Sequence, residues 1–151
     1  MIPLNGKGRY LQGVFRPKNP SKYIGKETPV YRSGWECKFF RWCDDNPNIL
    51  EWASEAVVIP YVNPLDNKTH RYHTDGVVII KEGDKITKYL IEIKPSSQTV
   101  APVASKRKKQ RTLLYETQQW VTNTAKWKAA QQWCDRNKFK FLILTEKELG
   151  I

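Results

Sequence analysis

Apolar residues recur at regular intervals along most of the chain after residue 32, and the interval changes from segment to segment. In residues 33–45, Trp35, Phe39 and Trp42 fall on one side of a helical pattern, and an Asn-Pro pair follows directly. This pattern predicts a short helix over 33–45 that ends before the proline.

The next segments favour β-structure. Residues 49–62 are rich in β-prone side chains and carry Pro60 near one end, which predicts a single strand at a sheet edge. A turn over 63–67 would lead into two further strands within 72–94. The three strands together are expected to form an antiparallel meander.

The hairpin within 72–94 has the strongest local signal in the chain. Two runs rich in Val, Ile and Tyr flank Gly83-Asp84, and such a pair between β-prone runs indicates a two-residue turn in which glycine takes a positive φ. Pairing outward from this turn places Asp75 opposite Glu92. Opposed carboxylates destabilise a sheet unless a cation lies between them.

Alternation along the second strand of the hairpin gives its two faces different characters. Glu92 and Lys94 share one face, whereas Tyr89, Ile91 and Ile93 point to the other. The sequence therefore predicts Asp75, Glu92 and Lys94 together on one face of a strand pair whose other face is apolar.

The remainder of the chain alternates loop, helix and strand. A Pro- and Ser-rich loop follows Lys94, a long helix is predicted over 112–137, and a strand over 139–144 precedes a capped terminal turn. The apolar stripe of the long helix, which we assign to core packing, comprises Leu113, Trp120, Trp127, Ala130 and Cys134. The order of elements predicts an α/β fold of type αβββαβ, with a mixed central sheet flanked by helices.

The net charge of the chain indicates what kind of partner it binds. The 151 residues include 26 Lys and Arg but only 15 Asp and Glu, giving a net charge of +11, which favours a polyanionic partner such as DNA or RNA. Neither a signal peptide nor a run of apolar residues long enough for a membrane span is present, so we expect no membrane partner. The three cysteines lack zinc-site spacing and are expected to be reduced thiols in the core.

Two basic segments have alternative interpretations. Residues 1–32 are predicted to form a basic N-terminal arm ahead of a domain over 33–151, either contacting DNA phosphates or packing on the domain as a leader. A second basic run either neutralises DNA phosphates or is simply the solvated start of the long helix. Its residues are Lys106, Arg107, Lys108, Lys109 and Arg111.

Glu36 also has two interpretations. With Ser33 it would form a capping box, in which its carboxylate accepts from the Ser33 backbone N–H. Alternatively, the side chain projects from the first helical turn toward the acidic face of the hairpin.

Asp75 followed by Glu92-Ile93-Lys94 at the end of an apolar strand resembles the core motif of the PD-(D/E)XK nucleases, although Thr74 stands where that motif has proline. Trp35-Glu36, the Pro-Ser loop after Lys94 and the closing Phe-Leu-Ile-Leu-Thr-Glu-Lys-Glu make the chain similar to the TnsA-type endonucleases in particular. The chain as a whole also resembles the head completion nucleases of T-even phages.

This resemblance implies a Mg²⁺-dependent DNA endonuclease, with exonuclease activity as a second expectation. Asp75 and Glu92 would bind Mg²⁺ with the Ile93 carbonyl as an additional ligand, Lys94 would act on the attacking water, and Glu36 would supply a third acid. The implied partners are double-stranded DNA and phage head or connector proteins. The implied setting is the host cytoplasm during virion assembly, or the head vertex of the virion.

Two other functions are compatible with the sequence. A non-catalytic DNA-binding or connector protein would share the fold and the positive charge, but it would have no need for the Asp, Glu and Lys of the motif. A restriction or junction-resolving enzyme would use the same residues, yet no segment here resembles a base-recognition module.

Overall fold

The computed structural model describes residues 12–151, so that the first eleven residues of the predicted arm lie outside the described part of the chain. Single turns of 3-10 helix occur at Pro20–Lys22 and Ser96–Gln98. The other elements, in chain order, are β1 (Gly13–Val14), β2 (Val30–Tyr31), α1 (Gly34–Asp45), β3 (Ile49–Ser54), β4 (Val58–Asn63), β5 (Lys68–His73), β6 (Gly76–Glu82), β7 (Lys85–Ile93), α2 (Gln110–Asn137), β8 (Lys140–Leu144) and α3 (Glu146–Leu149).

A four-stranded sheet in the order β3-β6-β7-β8 forms the centre of the protein. β8 is parallel to β7 and the other pairs are antiparallel, so the sheet is mixed as predicted. Successive residues of β7 point to opposite sides: Ile91 packs with Phe39 and Phe40 of α1, whereas Leu90 packs with Ala130 of α2. The sheet therefore lies between the two helices, and α1, β3, β6, β7, α2 and β8 confirm the predicted αβββαβ order.

The predicted hairpin is confirmed. β6 and β7 pair from Glu82 and Lys85 at the turn to Gly76 and Ile91 at the open end, and Gly83 has a φ of 63°. Glycine takes this left-handed conformation without a steric penalty, and the two-residue turn then fixes the register of both strands.

The single strand predicted over 49–62 is wrong. It is two strands, because Glu55 has a φ of 50° and the chain leaves the sheet after Ser54. β4 then pairs with β5 in a separate two-stranded ribbon that packs on α2, while β3 pairs with β6. The predicted meander is therefore interrupted by an inserted ribbon. Pro60 lies in that ribbon, where strand edges are unpaired.

The helices begin close to their predicted positions. α1 has Ser33 as its N-cap, but Trp42, predicted on the buried side, is 43% exposed, and the adjacent Cys43 is buried instead. α2 starts at Gln110, and its Ala130 is fully buried, in agreement with a packing stripe. All three cysteines are buried free thiols as predicted. No helix within residues 12–151 combines the length and the apolar character that crossing a membrane requires.

The described part of the basic N-terminal segment packs on the domain. The Phe15 ring lies 5.7 Å from that of Phe40 and 5.9 Å from that of Trp52, measured between centroids, in edge-to-face contacts. The buried Asp44 carboxylate accepts hydrogen bonds from the backbone N–H groups of Lys18 and Asn19 at 2.8 and 3.0 Å. This segment thus covers the end of α1 and part of the core.

Replacing Phe15 with alanine should lower the free energy of unfolding by about 2–3 kcal/mol, somewhat less than for a fully buried phenylalanine, because its ring is partly buried in the core. Val14→Ala is the matched control, since Val14 is 52% exposed and its truncation should cost less than about 0.5 kcal/mol. Urea denaturation measures both, and equal effects would contradict a stabilising role for the Phe15 contacts.

Candidate active site

Asp75 and Glu92 meet at the open end of the central hairpin. The Asp75 backbone N–H donates to the Ile91 carbonyl at 3.0 Å, which continues the β6–β7 pairing by one residue. The Ile93 backbone N–H donates to Asp75 Oδ2 at 2.7 Å, and the carboxyl groups of Asp75 and Glu92 are in hydrogen-bonding contact. The hairpin register therefore produces the predicted pair of opposed acids.

Burial is the first cause that raises the pKa of Asp75 well above its usual value, and the hydrogen bond and charge of Glu92 act in the same direction. The side chain of Glu92 is almost entirely enclosed, because the residue is only 4% exposed. Two carboxylates held this close together repel each other, so the arrangement favours a positive counter-charge between them.

Gly76 allows this end of the hairpin to approach its neighbours. A Cβ at position 76 would meet the Ala53 carbonyl oxygen and the Phe39 ring at 3.0 Å, closer than such atoms normally come. Because Asp75 directly precedes this glycine, the tight contact with β3 and α1 also fixes where the Asp75 side chain begins.

Glu92 is held from the α2 side by two donors that the sequence pattern does not identify. The Tyr72 hydroxyl donates to Glu92 Oε2 at 2.8 Å, and the Trp127 indole N–H lies 3.4 Å from the same oxygen. Tyr72, predicted in the central hairpin, belongs to the ribbon, and Trp127, predicted as core packing, also binds the acid. The available signal is that buried tyrosine and tryptophan usually require a polar partner.

Glu36 combines features of both interpretations. Its backbone N–H donates to Ser33 Oγ at 3.1 Å as a cap requires. Its carboxylate, however, contacts the Ser33 hydroxyl and accepts from the backbone N–H of Arg32, where the predicted capping box has that of Ser33. Burial raises the pKa of Glu36, and the charge of Glu36 in turn raises the pKa of Asp75. Glu36 is therefore both a cap residue and an electrostatic neighbour of the acid pair.

Lys94 directly follows β7. Its backbone N–H donates to the Leu144 carbonyl at 3.0 Å, which extends the pairing with β8, and alternation places it on the face of Glu92. Its charge lowers the pKa of Lys126, after the larger effect of burial, so the two ammonium groups act on each other across the site.

Arg32 and Lys126 are two further cations near the acids that the sequence pattern does not identify. Arg32 forms an ion pair with Glu55, and the charges of Glu36 and Asp75 also raise its pKa. Lys126 interacts electrostatically with both acids of the pair. No local pattern marks either residue, because each reaches the site from a different element of the fold.

The basic run lies at the start of α2 and is largely exposed. Lys106, Arg107, Lys109 and Arg111 are exposed, whereas Lys108 forms an ion pair with Glu116 at 2.7 Å. The run spans the start of α2, because Arg111 belongs to the first turn of that helix, and Lys126 lies sixteen residues beyond Gln110, or about 24 Å along the helix axis. The assignment of the run to DNA phosphates stays a prediction.

The donor set is compatible with a small divalent cation. Within residues 12–151, no three His, Cys, Asp or Glu side chains converge as a ready-made metal site. Mg²⁺ is commonly bound in proteins by one or two carboxylates, with water and substrate phosphate completing its shell. The paired oxygens of Asp75 and Glu92 fit that requirement, because a cation between them would offset the charges of both carboxylates.

A mixed sheet with paired acids at the open end of its hairpin, between an N-terminal helix and a long second helix, defines the PD-(D/E)XK class of nuclease folds. The family model described as "TnsA-like endonuclease N terminal" matches residues 46–146, and the chain belongs to this family. The chain is 41% identical over 145 residues to the head completion nuclease of Enterobacteria phage T4, covering 91% of this chain and 92% of that protein.

Asp75→Asn should stabilise the protein in metal-free buffer at neutral pH, by about 0.5–2 kcal/mol, the range of single stabilising substitutions. The amide keeps an acceptor for the Ile93 N–H and can donate to Glu92, as a protonated Asp75 does. Because the folded-state pKa is raised, native Asp75 contributes stability at low pH and loses it as pH rises.

The stability that Asp75→Asn gains over wild type should therefore shrink as the pH is lowered toward the usual pKa of a free aspartate. Urea denaturation in EDTA at a series of pH values measures it. A variant less stable than wild type at neutral pH would contradict the strained acid pair.

Proposed function

We propose that the protein is a Mg²⁺-dependent DNA endonuclease that cleaves packaged DNA during phage head completion and head–tail joining. The observation that carries this proposal is the contact between Asp75 and Glu92 at the end of the hairpin. The family match and the name of the T4 relative support the nuclease class and the head-completion setting.

Asp75 and Glu92 would hold the metal, with the Ile93 carbonyl as an additional ligand. Bound Mg²⁺ supplies an activated water and offsets the charge that develops on the phosphate oxygens. The Ile93 N–H orients Asp75, and Tyr72 and Trp127 fix Glu92, so that both carboxylates are positioned before substrate arrives.

Lys94 and Glu36 act on the same reaction from two sides. Lys94 lies on the face of Glu92, where it orients or helps to deprotonate the attacking water and offsets negative charge. Glu36 lies within electrostatic reach of Asp75, where it steers water ligands of the ion or helps to hold a second one.

DNA binding is assigned to the basic run that precedes α2. Its four exposed side chains face solvent, as phosphate contacts require. Because the start of α2 lies about 24 Å along the helix axis from Lys126, these side chains would contact DNA phosphates away from the scissile one.

The proposed setting is the host cytoplasm during virion assembly, or the head vertex of the virion, with head or connector proteins as partners. Trimming of packaged ends would also use exonuclease activity, which a linear substrate with blocked and free ends would detect.

Wild-type protein should nick supercoiled plasmid in Mg²⁺ and not in EDTA. Asp75→Asn and Lys94→Ala should each lower the rate by at least about 10²-fold, because each removes an essential part of the acid–base or metal machinery. Asp84→Ala and Lys81→Ala, exposed positions in the same hairpin, are the matched controls and should cut normally.

Binding of the ion is measured separately from cleavage. Added Mg²⁺ should raise the melting temperature of wild type but not that of Asp75→Asn, since a ligand stabilises only the form that binds it. Cleavage by Asp75→Asn or Lys94→Ala at a rate near that of wild type would contradict the assignment of these residues to the active site. Binding of DNA without any cutting would favour the non-catalytic DNA-binding or connector alternative.

Replacing the exposed basic side chains with glutamine should weaken DNA binding and flatten its salt dependence, with the log–log slope falling by about 0.9 for each phosphate interaction removed. The variant set is Lys106→Gln, Arg107→Gln, Lys109→Gln and Arg111→Gln. Fluorescence anisotropy on duplex DNA over a range of salt concentrations measures the slope. An unchanged slope would mean that the run is only a solvated helix start.

A further inference from the structure

Lys126 lies on the α2 side of the acid pair, over the tyrosine that holds Glu92. Its Nζ is 5.5 Å from the centroid of the Tyr72 ring and 5.9 Å from that of Tyr61. The hydroxyl of the same Tyr72 donates to the Glu92 carboxylate. Trp127, which directly follows Lys126 in α2, contacts that carboxylate as well. Lys126 is thus brought to the site by α2 and the ribbon together.

Among the described residues, no acid forms an ion pair with the Lys126 ammonium. The ion pairs within residues 12–151 are Arg32–Glu55, His70–Asp66 and Lys108–Glu116. Two aromatic faces partly compensate the burial of Lys126. A half-buried ammonium that no carboxylate contacts directly is costly, so a closer anionic partner is expected where this cation functions.

Charge indicates the kind of group that would complete the site. Once a divalent cation lies between Asp75 and Glu92, those acids are neutralised, and the ammonium groups of Lys94 and Lys126 are left facing the same space. The group that fits two ammonium ions and a metal ion is a dense anion with several free oxygens, such as a DNA phosphate.

We propose that Lys126 binds a non-bridging oxygen of the scissile phosphate and stabilises the charge that develops there during cleavage. This inference rests on the proposed function. Lys94 acts on the water, whereas Lys126 approaches the phosphate from the ribbon and α2. An ammonium placed before substrate binds is effective for this purpose, because the site does not have to reorganise during the reaction.

The decisive variant is Lys126→Met, which keeps the length and packing of the stem and removes the charge. Lys128→Met is the matched control, because Lys128 is exposed on the same helix and residues two apart point to different sides. Lys126→Arg keeps the positive charge. Lys126→Gln serves as a second neutral variant should the methionine variant fold poorly.

Single-turnover cleavage of duplex DNA with saturating enzyme and Mg²⁺ should slow by roughly 10²–10³-fold in Lys126→Met, and Lys126→Arg should recover at least a tenth of the wild-type rate. Lys128→Met should cut within twofold of wild type. The shift in melting temperature on adding Mg²⁺ should persist in Lys126→Met, because the acids are intact.

A single-turnover rate for Lys126→Met within about threefold of wild type would overturn the inference and leave Lys126 as a packing residue over Tyr72. A variant that only binds DNA more weakly, with an unchanged rate at saturation, would overturn it as well. Failure of the wild type itself to cut in Mg²⁺ would instead overturn the proposed function and this inference with it.

Discussion

Two carboxyl groups meet at the open end of the β6–β7 hairpin because the turn at Gly83 leaves the strands no other register. A slip of one residue would send Glu92 to the α1 side of the sheet and separate it from Asp75. Glu92 is buried, and burial together with Glu92 raises the pKa of the half-buried Asp75, so the pair costs stability in the isolated protein. Under the proposed function, the same burial and fixed geometry would make the two carboxylates effective ligands for a cation.

Each part of the fold contributes one contact to this pair. β7 supplies Glu92 and the N–H group that holds Asp75, while α1 brings Glu36 within electrostatic reach. The ribbon and α2 supply the donors from Tyr72 and Trp127. Helices on both faces of one sheet are thus required to enclose the pair, and neither the hairpin nor α2 alone would form the site.

The hairpin, its acids and the order of the core elements could be predicted because turn chemistry and two-residue alternation are local signals. The break after Ser54 could not, since Glu55 takes a left-handed φ without glycine, asparagine or proline to indicate it. The contact between Tyr72 and Glu92 and the position of Lys126 depend on how the ribbon lies on α2. Such contacts between distant segments leave no periodicity in the sequence, and the burial of Phe15 could not be predicted for the same reason.

The ribbon shares no hydrogen-bonded strand pair with the central sheet, and its far turn over 63–67 is exposed apart from Asn63 at its base. Insertions or deletions at that turn would therefore change the length of the ribbon but not the distance between Asp75 and Glu92. The length of this turn is therefore independent of the geometry of Asp75 and Glu92, and the chain can vary here without moving the two acids.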